Sequence, residues 1–331
     1  MNYINCPSYS SIYYALDLIN DGADVMILTS NASVVKYCEV TKINVKYYSN
    51  IHLGFWKATR IKTFKRQLDI LYSSLQISPK DTFYLLDNSF TVEGFYLGFL
   101  FSGKCHLKYF KMDRVEFTRL TIDEVKNIKP LLNALFVVVS IKMVLHLRLI
   151  LKYSNSNPVI CIDNNYISRH NFSEISGIES PEYYKRKAIK NYSIVAKKYK
   201  TMLADQGDQS GIIEFNSLNK VLQWIIMEAK DIVIKEHPNF KNNLIYKTVE
   251  KYPDYYPSEL LLINIEACVI SIYSATLIHA SLNNNIQSIS LLDLVVWNDN
   301  SYKESRREWL IHNSQNRILF PSSLNELMKF I

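Results

Sequence analysis

The chain of 331 residues is longer than one hydrophobic core usually supports, so two domains are the first expectation. Hydrophobic residues make up 48% and charged residues 21%, which excludes a disordered chain or a charged tail. Lys and Arg number 38 against 31 Asp and Glu, and the resulting net charge of +7 is a mild excess that does not indicate a nucleic-acid partner.

Glycine and cysteine usage narrows the class further. The 8 glycines form neither a GxGxxG nor a GxxxxGK(S/T) motif, so any nucleotide has to bind without a glycine-rich phosphate loop. The 5 cysteines are an odd number and contain no CxxC pair, which argues against a disulfide framework or a zinc site. The first residues lack the basic region and long apolar stretch of a signal peptide, and we therefore expect a cytoplasmic protein.

The N-terminal third alternates strand and helix patterns. Short apolar runs bounded by turn residues predict strands, and the helical period between them predicts helices. Strand, helix and parallel strand repeated in this way indicate a doubly wound α/β domain. The predicted elements are strands at 2–6, 23–28, 82–86 and 106–110, a helix that ends at Gly22, and a helix at 91–101.

Residues 131–151 form a long apolar stretch. Lys142, His146 and Arg148 interrupt its second half, which makes a membrane-spanning helix unfavourable. We predict a core helix here, with a helix on a membrane surface as the alternative. Residues 158–163 then provide the last strand of the first domain.

The domain boundaries follow from a change in residue composition along the chain. We assign residues 1–163 to an N-terminal Rossmann-like domain, and the polar, aromatic and basic residues 164–198 to an interdomain connection. A second α/β pattern fills residues 199–331, with strands at 199–204, 231–235, 268–272 and 288–292 and a helix at about 215–229. The predicted fold class is α/β, with two Rossmann-like, doubly wound domains facing a central cleft.

The first candidate site residues follow the predicted strand 231–235. This strand brings Lys235 and His237 to its carboxyl end, where ligands bind in open α/β sheets. Pro238 ends the strand and fixes the backbone beside the imidazole. The alternative is an ordinary surface histidine at a strand end.

Two downstream stretches add a carboxylate and several hydroxyls. Glu259 begins an apolar helix, and the predicted strand 268–272 runs into a turn that carries Ser271, Ser274 and Thr276. A strand-to-helix turn of this composition offers hydroxyl and backbone N–H donors to an anion. Helix capping by Ser274 is the alternative explanation.

In this order, the three stretches resemble motifs of the bacterial sialyltransferases of the GT-B fold, the group of the lipooligosaccharide sialyltransferases and capsule polysialyltransferases. The matches are Lys235-Glu236-His237-Pro238, Pro257-Ser258-Glu259-Leu260 and Ser274-Ala275-Thr276. Ala275 stands where a second serine is common in the family. The resemblance covers about residues 199–331, whereas residues 1–160 share with the family only the alternation of strand and helix patterns.

The resemblance implies transfer of sialic acid from CMP-sialic acid to a sugar hydroxyl, expected to be galactose, of a bacterial lipopolysaccharide, O-antigen or capsule. Inversion at the anomeric carbon, no metal and no cofactor are implied, and the chain indeed contains no Asp-x-Asp triplet. His237 would stabilise the CMP leaving group, and Glu259 would bind the ribose or cytosine. The implied donor-binding set is Lys235, Pro238, Glu259, Ser271, Ser274 and Thr276, with the acceptor on the N-terminal domain.

The transfer needs a carboxylate base to take the acceptor proton. The family carries an acidic triplet for which this chain has no match. We favour Asp208, in the loop after the strand 199–204, with Asp163 as the alternative base. Asp205 and Glu214 are further alternatives.

Two basic clusters, at 57–66 and 185–200, predict either solvated surfaces or peripheral attachment to the inner face of the cytoplasmic membrane, where a lipid-linked acceptor would reside. Two other functions stay open. One is a GT-B transferase for another activated sugar, such as CMP-Kdo or a UDP-sugar. The other is a non-catalytic polysaccharide-assembly subunit, which the missing acidic triplet and Ala275 would favour.

Overall fold

The computed structural model describes residues 1–7, 12–48, 61–86, 92–111, 150–154, 157–161, 172–176, 197–206, 211–237, 244–283 and 285–331. The chain divides into two compact units, Met1–Glu179 and Ser180–Ile331. Each unit is built around a parallel sheet of its own.

The first unit alternates strands and helices along most of its described length. Its strands are β1 (Asn2–Asn5), β2 (Val25–Thr29), β3 (Val45–Tyr47), β4 (Thr82–Leu86), β5 (His106–Lys111), β6 (Ile150–Ser154), β7 (Asn157–Cys161) and β8 (Phe172–Ser176). Its helices are α1 (Ile12–Asn20), α2 (Ala32–Thr41), α3 (Ile61–Ser73) and α4 (Val92–Phe101).

The described strands of this unit form a six-stranded sheet in the order β3-β2-β1-β4-β5-β8, and all of its pairings are parallel. The chain moves outward from β1 to β3 and then returns to place β4 on the other side of β1. This reversal is the Rossmann strand order. It confirms the doubly wound arrangement predicted for the N-terminal part of the chain.

Local sequence explains how these elements begin and pack. Asn31 caps α2, because its side-chain oxygen accepts hydrogen bonds from the backbone N–H groups of Ser33 and Val34 at 2.9 and 3.3 Å. Phe83 on β4 and Phe101 on α4 are fully buried, and their stacked rings lie 4.4 Å apart between centroids. Apolar strand residues thus meet an apolar helix face at the core.

The hairpin formed by β6 and β7 corrects two expectations. The two strands pair antiparallel with each other, from Ile150 opposite Cys161 to Ser154 opposite Asn157, in a separate two-stranded sheet. The end of the predicted helix 131–151 is therefore strand, whereas residues 131–149 lie outside the described residues. The predicted strand 158–163 is present up to Cys161, but it does not end the large sheet. A short apolar run fits both a helix and a strand, and only its pairing partner decides between them.

The strand β8 lies inside the predicted connection 164–198. It pairs in parallel with β5, from Leu107 opposite Phe172 to Lys111 opposite Ser176. The first unit therefore extends to Glu179 rather than to residue 163. The sequence of β8, Phe-Ser-Glu-Ile-Ser, lacks the apolar run of a central strand, as is usual for a strand at the edge of a sheet.

The second unit contains the remaining elements. Its strands are β9 (Tyr199–Ala204), β10 (Ile232–Lys235), β11 (Ile265–Ser271), β12 (Gln287–Ser290) and β13 (Ile318–Leu319). Its helices are α5 (Phe215–Glu228), α6 (Ser258–Leu261), α7 (Ala275–Ser281), α8 (Asn300–Ser314) and α9 (Leu324–Leu327), with short 3₁₀ turns at Leu244–Tyr246 and Leu262–Asn264.

Among the described residues of this unit, five parallel strands form a sheet in the order β10-β9-β11-β12-β13. The chain starts at β9, places β10 on one side, and returns to place β11 on the other side. The direction of winding therefore reverses between β9 and β11, as in flavodoxin-like sheets. The strands and the helix predicted for residues 199–331 are all present, with boundaries shifted by a few residues.

A helix needs about 20 mostly apolar residues to cross a bilayer. Within the described ranges, none of the helices has the length and apolar character needed to cross a membrane.

Candidate functional site

The strand order of the second unit indicates where a ligand would bind. In open α/β sheets, ligands bind beyond the carboxyl ends of the strands, at the point where the winding direction reverses. Here that point lies between β9, which leads into Asp205, and β11, which leads into Tyr273 and Ser274. β10, which leads into His237, is the neighbour of β9 on the other side.

Lys235 ends β10 and is buried. Its ammonium group donates hydrogen bonds to the backbone carbonyls of Glu236 and Asp254, at 2.8 and 3.2 Å. The side chain therefore links the end of β10 to the segment that leads into α6. Because these contacts direct the Lys235 ammonium group to the backbone, we expect Lys235 to hold this segment in place rather than to contact the donor.

His237 follows two residues later and is half-buried. Burial lowers the pKa of the imidazole, and the nearby positive charge of Lys235 lowers this pKa further. The imidazole is therefore neutral at pH 7, with one N–H donor and one nitrogen acceptor. Such a group can donate a hydrogen bond to a phosphate oxygen and can take up a proton as negative charge arrives beside it. Pro238, the next predicted site residue, lies outside the described residues.

The predicted carboxylate and the predicted hydroxyl turn are brought together. The hydroxyls of Ser258 and Thr276 are 2.7 Å apart, the hydroxyl of Ser274 donates to Thr276 Oγ1 at 3.1 Å, and that of Ser258 donates to Glu259 Oε2 at 3.3 Å. Each hydroxyl has one proton to donate, so these contacts form a chain in one direction, from Ser274 through Thr276 and Ser258 to Glu259. We call this arrangement the hydroxyl chain.

Ser274 also caps α7. Its hydroxyl oxygen accepts a hydrogen bond from the backbone N–H of Thr276 at 3.2 Å, so the capping explanation is confirmed for Ser274. Thr276 is buried, whereas Ser274 and Glu259 at the two ends of the hydroxyl chain are half-buried.

The predicted pieces of the site therefore share the carboxyl edge of the second sheet. β10 and β11 lie on either side of β9, so their ends are separated by two strand spacings, about 10 Å. His237 extends from the first of these ends, and the hydroxyl chain joins the second end to Glu259. The space between them lies beyond the end of β9.

Ser271, another predicted donor-binding residue, has a contact within the sheet. It is buried, and its hydroxyl donates to the carbonyl oxygen of Ala204 at 2.6 Å, which ties the end of β11 to the end of β9. This hydroxyl holds together the two strands between which the winding reverses. We therefore leave Ser271 out of the proposed donor contacts.

Replacing Ser271 with Ala is expected to lower the free energy of unfolding by about 1 kcal/mol, because the Ala204 carbonyl loses its side-chain hydrogen bond. Nucleotide affinity is expected to stay unchanged. Urea unfolding and calorimetric titration with CMP measure the two quantities on the same preparation. Weaker CMP binding at unchanged stability would return Ser271 to the donor site.

Asp205 is the described carboxylate at the end of β9. Its backbone N–H donates to the carbonyl of Lys235 at 3.0 Å, and its Oδ1 accepts a hydrogen bond from the hydroxyl of the fully buried Tyr246 at 3.0 Å. Burial raises the pKa of Tyr246, and the negative charge of Asp205 raises this pKa further, so the phenol remains a donor. The carboxylate is thus held in one orientation beside the point of reversal.

Asp208 and Asp163, the two candidates for the base that the sequence favours, lie outside the described residues. From the sequence, Asp205 ranks below both of them. Its position directly after a buried strand is the signal that favours it, since the first residue beyond a strand lies at the edge where ligands bind. The support from Tyr246, which lies 41 residues further along the chain, has no signal in the sequence.

A metal site needs several His, Cys, Asp or Glu side chains close together. Among the residues that the structure describes, no group of three or more His, Cys, Asp or Glu side chains could hold a metal ion.

The chain was compared with known proteins. No protein-family model and no curated protein sequence matches it. Among solved structures, it is similar to the glycosyltransferase SnogD from Streptomyces nogalater, with 9% identity and a TM-score of 0.46, over 99% of this chain and 89% of that one. It is also similar to the E. coli heptosyltransferase WaaC with ADP-2-deoxy-2-fluoro heptose, with 12% identity and a TM-score of 0.42, over 88% of each chain.

A third similar structure is S. aureus MnaA with UDP, with 13% identity and a TM-score of 0.42, over 96% of this chain and 91% of that one. These identities and TM-scores are too low to assign an activity to this chain. The fold class predicted from the sequence, α/β with two Rossmann-like doubly wound units as in GT-B proteins, is confirmed by the two parallel sheets themselves.

Proposed function

We propose that the chain is a GT-B glycosyltransferase that binds CMP-sialic acid at the carboxyl edge of the second sheet and transfers sialic acid, with inversion, to a sugar hydroxyl. The observation that carries the proposal is the grouping of His237, Asp205 and the hydroxyl chain with Glu259 around the point of reversal. The expected acceptor is a galactose of a bacterial lipopolysaccharide, O-antigen or capsule, either as an oligosaccharide or linked to a lipid.

The chemistry of transfer assigns a role to each group. The acceptor oxygen attacks the anomeric carbon, the bond from that carbon to the phosphate oxygen breaks, and its electron pair leaves on CMP. A carboxylate takes the acceptor proton, and a donor must face the phosphate where negative charge develops. We assign the first role to Asp205, with Asp208 and Asp163 as the competing candidates, and the second role to His237.

Glu259 provides recognition of the nucleoside. A carboxylate accepts hydrogen bonds from ribose hydroxyls or from the exocyclic amine of cytosine, and uracil has a carbonyl at the position of that amine. The hydroxyl chain already directs one donor to Glu259 Oε2, which holds the carboxylate in place. This chemistry, together with the sequence resemblance, favours a cytidine over a uridine nucleotide.

The donor is tested by titrating the protein with CMP, CMP-sialic acid, UDP and GDP while thermal unfolding is followed. CMP at one hundred times its Kd is expected to stabilise the fold by about 2.7 kcal/mol, because a ligand that binds only the folded state shifts the unfolding equilibrium. Glu259→Gln is expected to weaken CMP binding. Glu266→Gln is the matched control, because Glu266 is exposed and lies near the amino end of β11.

Two results, one from this titration and one from an assay of CMP release, would contradict the proposal. Stabilisation by UDP alone would replace CMP-sialic acid with a UDP-sugar as the donor. Binding of CMP-sialic acid without any release of CMP, with galactose-terminated acceptors or with water, would favour the non-catalytic assembly subunit.

A further inference from the structure

Three aromatic rings and an arginine lie together beyond the carboxyl ends of β11 and β12. The ring centroids of Tyr273, Trp297 and Tyr302 are 6.0 to 6.2 Å from one another. Tyr273 precedes Ser274 of the hydroxyl chain, and Arg306 lies on α8 one turn after Tyr302. We call these four residues the aromatic–arginine cluster.

The rings hold the guanidinium group of Arg306. Its central carbon is 4.6 Å from the ring centroid of Tyr302 and 5.5 Å from that of Tyr273, within the range of cation–π attraction. Trp297 is itself fixed, because its indole N–H donates to the carbonyl of Leu292 at 2.8 Å. Tyr273 and Tyr302 therefore contact the arginine directly, and Trp297 supports both of these rings.

Among the described residues, Arg306 differs from its neighbours on α8 because no acidic side chain pairs with it. Lys303 and Arg307 both pair with Asp293. In the part of the chain that the structure describes, Arg306 forms no ion pair, and its Nε is buried without a hydrogen-bond partner. A buried polar group of this kind is unfavourable until a partner satisfies it.

The location of Arg306 relates it to the donor site. Tyr273, against which it packs, is the second residue after β11 and is adjacent to the hydroxyl chain. His237 lies beyond β10, on the other side of β9. The two groups therefore flank the point of reversal from opposite sides, and both are suited to negative charge. A planar guanidinium is the side chain best matched to the two oxygens of a carboxylate or a phosphate.

We propose that Arg306, held between Tyr273 and Tyr302, binds an oxyanion of the sugar donor. This inference rests on the proposed function, because it places the donor at the carboxyl edge of the second sheet. CMP-sialic acid has two such groups, the phosphate and the carboxylate of the sugar. A phosphate bound near His237 leaves the carboxylate for Arg306, whereas a phosphate shifted toward β11 would itself contact Arg306.

The test compares wild-type protein with Arg306→Met and Arg306→Lys by calorimetric titration at fixed pH and salt. Arg306→Met is expected to weaken binding by about tenfold to a hundredfold, the usual contribution of a hydrogen bond to a charged group. Arg306→Lys is expected to restore only part of this loss, because lysine lacks the planar pair of donors. Arg317→Met, at an exposed arginine before β13, is the matched control.

The choice of ligand separates the two oxyanions. A loss for CMP-sialic acid with unchanged affinity for CMP assigns Arg306 to the sugar carboxylate, and an equal loss for both ligands assigns it to the phosphate. If the wild-type protein binds both ligands and neither Arg306→Met nor Arg306→Lys weakens that binding, this inference is wrong and the proposed function stands. A wild-type protein that binds neither CMP nor CMP-sialic acid would overturn the proposed function and this inference with it. Thermal unfolding of each variant shows whether it is folded.

Discussion

Replacing His237 with Gln is expected to lower kcat for sialic acid transfer by about 10²–10³-fold. A preorganised donor that faces the charge developing on a leaving group contributes this much to the rate, and the proposed function gives this role to the neutral imidazole beyond β10. The KM for the acceptor is expected to change little, because the interaction strengthens only as CMP leaves. Release of CMP from CMP-sialic acid, with and without a galactose-terminated acceptor, measures the effect.

A second histidine provides the control for this experiment. His312 is exposed in the last turn of α8, and His312→Gln is expected to leave kcat unchanged. An unchanged kcat in His237→Gln, with CMP binding intact, would remove His237 from the mechanism.

The same histidine makes stability depend on pH. Because its pKa is lowered in the folded chain, the unfolded chain binds a proton more readily than the folded chain as the pH falls below the ordinary histidine value of about 6.5. The contribution of the neutral imidazole to the free energy of unfolding is therefore fully present above this pH. It decreases as the pH falls from this value to the lowered pKa of His237. His237→Gln should remove this part of the pH dependence. Bound CMP should raise the pKa of His237, so that binding is accompanied by proton uptake.

Replacing the proposed catalytic base has the other large expected effect. Asp205→Asn is expected to lower kcat by about 10²–10⁴-fold with little change in the Kd for CMP, because the amide cannot accept the acceptor's proton. Asp208→Asn and Asp163→Asn are measured beside it. Asp231→Asn is the control, since Asp231 is exposed near the amino end of β10.

The comparison of these variants identifies the base. If Asp208→Asn or Asp163→Asn abolishes transfer while Asp205→Asn remains active, the assignment of Asp205 is wrong. Tyr246→Phe provides an independent check, because it removes the hydroxyl that holds Asp205. A smaller loss of kcat than in Asp205→Asn, with unchanged affinity for CMP, is the result expected of a positioning residue.

Much of the fold is predictable because each half of the chain alternates strand and helix patterns. The strands of the second unit are buried on both sides and appear as apolar runs, for example Val269 and Ile270 within β11. The edge strand β8 has no such run, and the hairpin of β6 and β7 depends on pairing that a local window cannot reveal. The local sequence therefore predicts a connection at β8, a helix at the start of β6, and a strand of the large sheet at β7.

For the candidate site as well, the sequence predicts the positions of some residues but not their contacts. Residues immediately after strands, such as His237 and Ser274, can be located from the sequence because the carboxyl ends of parallel strands share one edge. The sequence does not show which partner a side chain meets. Lys235 reaches the carbonyl of Asp254, and Ser271 reaches that of Ala204, so both polar groups have contacts within the unit. Arg306 lies 33 residues after Tyr273, and only the folded chain brings them together.

The segment from Asp254 to Ser258 is attached on both sides of β9. At one end Lys235 holds the carbonyl of Asp254 beside β10, and at the other end the hydroxyl of Ser258 contacts Thr276 after β11. The segment therefore passes from the end of β10 to the end of β11, across β9, and is fixed at both of its ends. Displacing this segment as a whole requires both contacts to break, and a nucleotide bound against the segment would oppose that displacement.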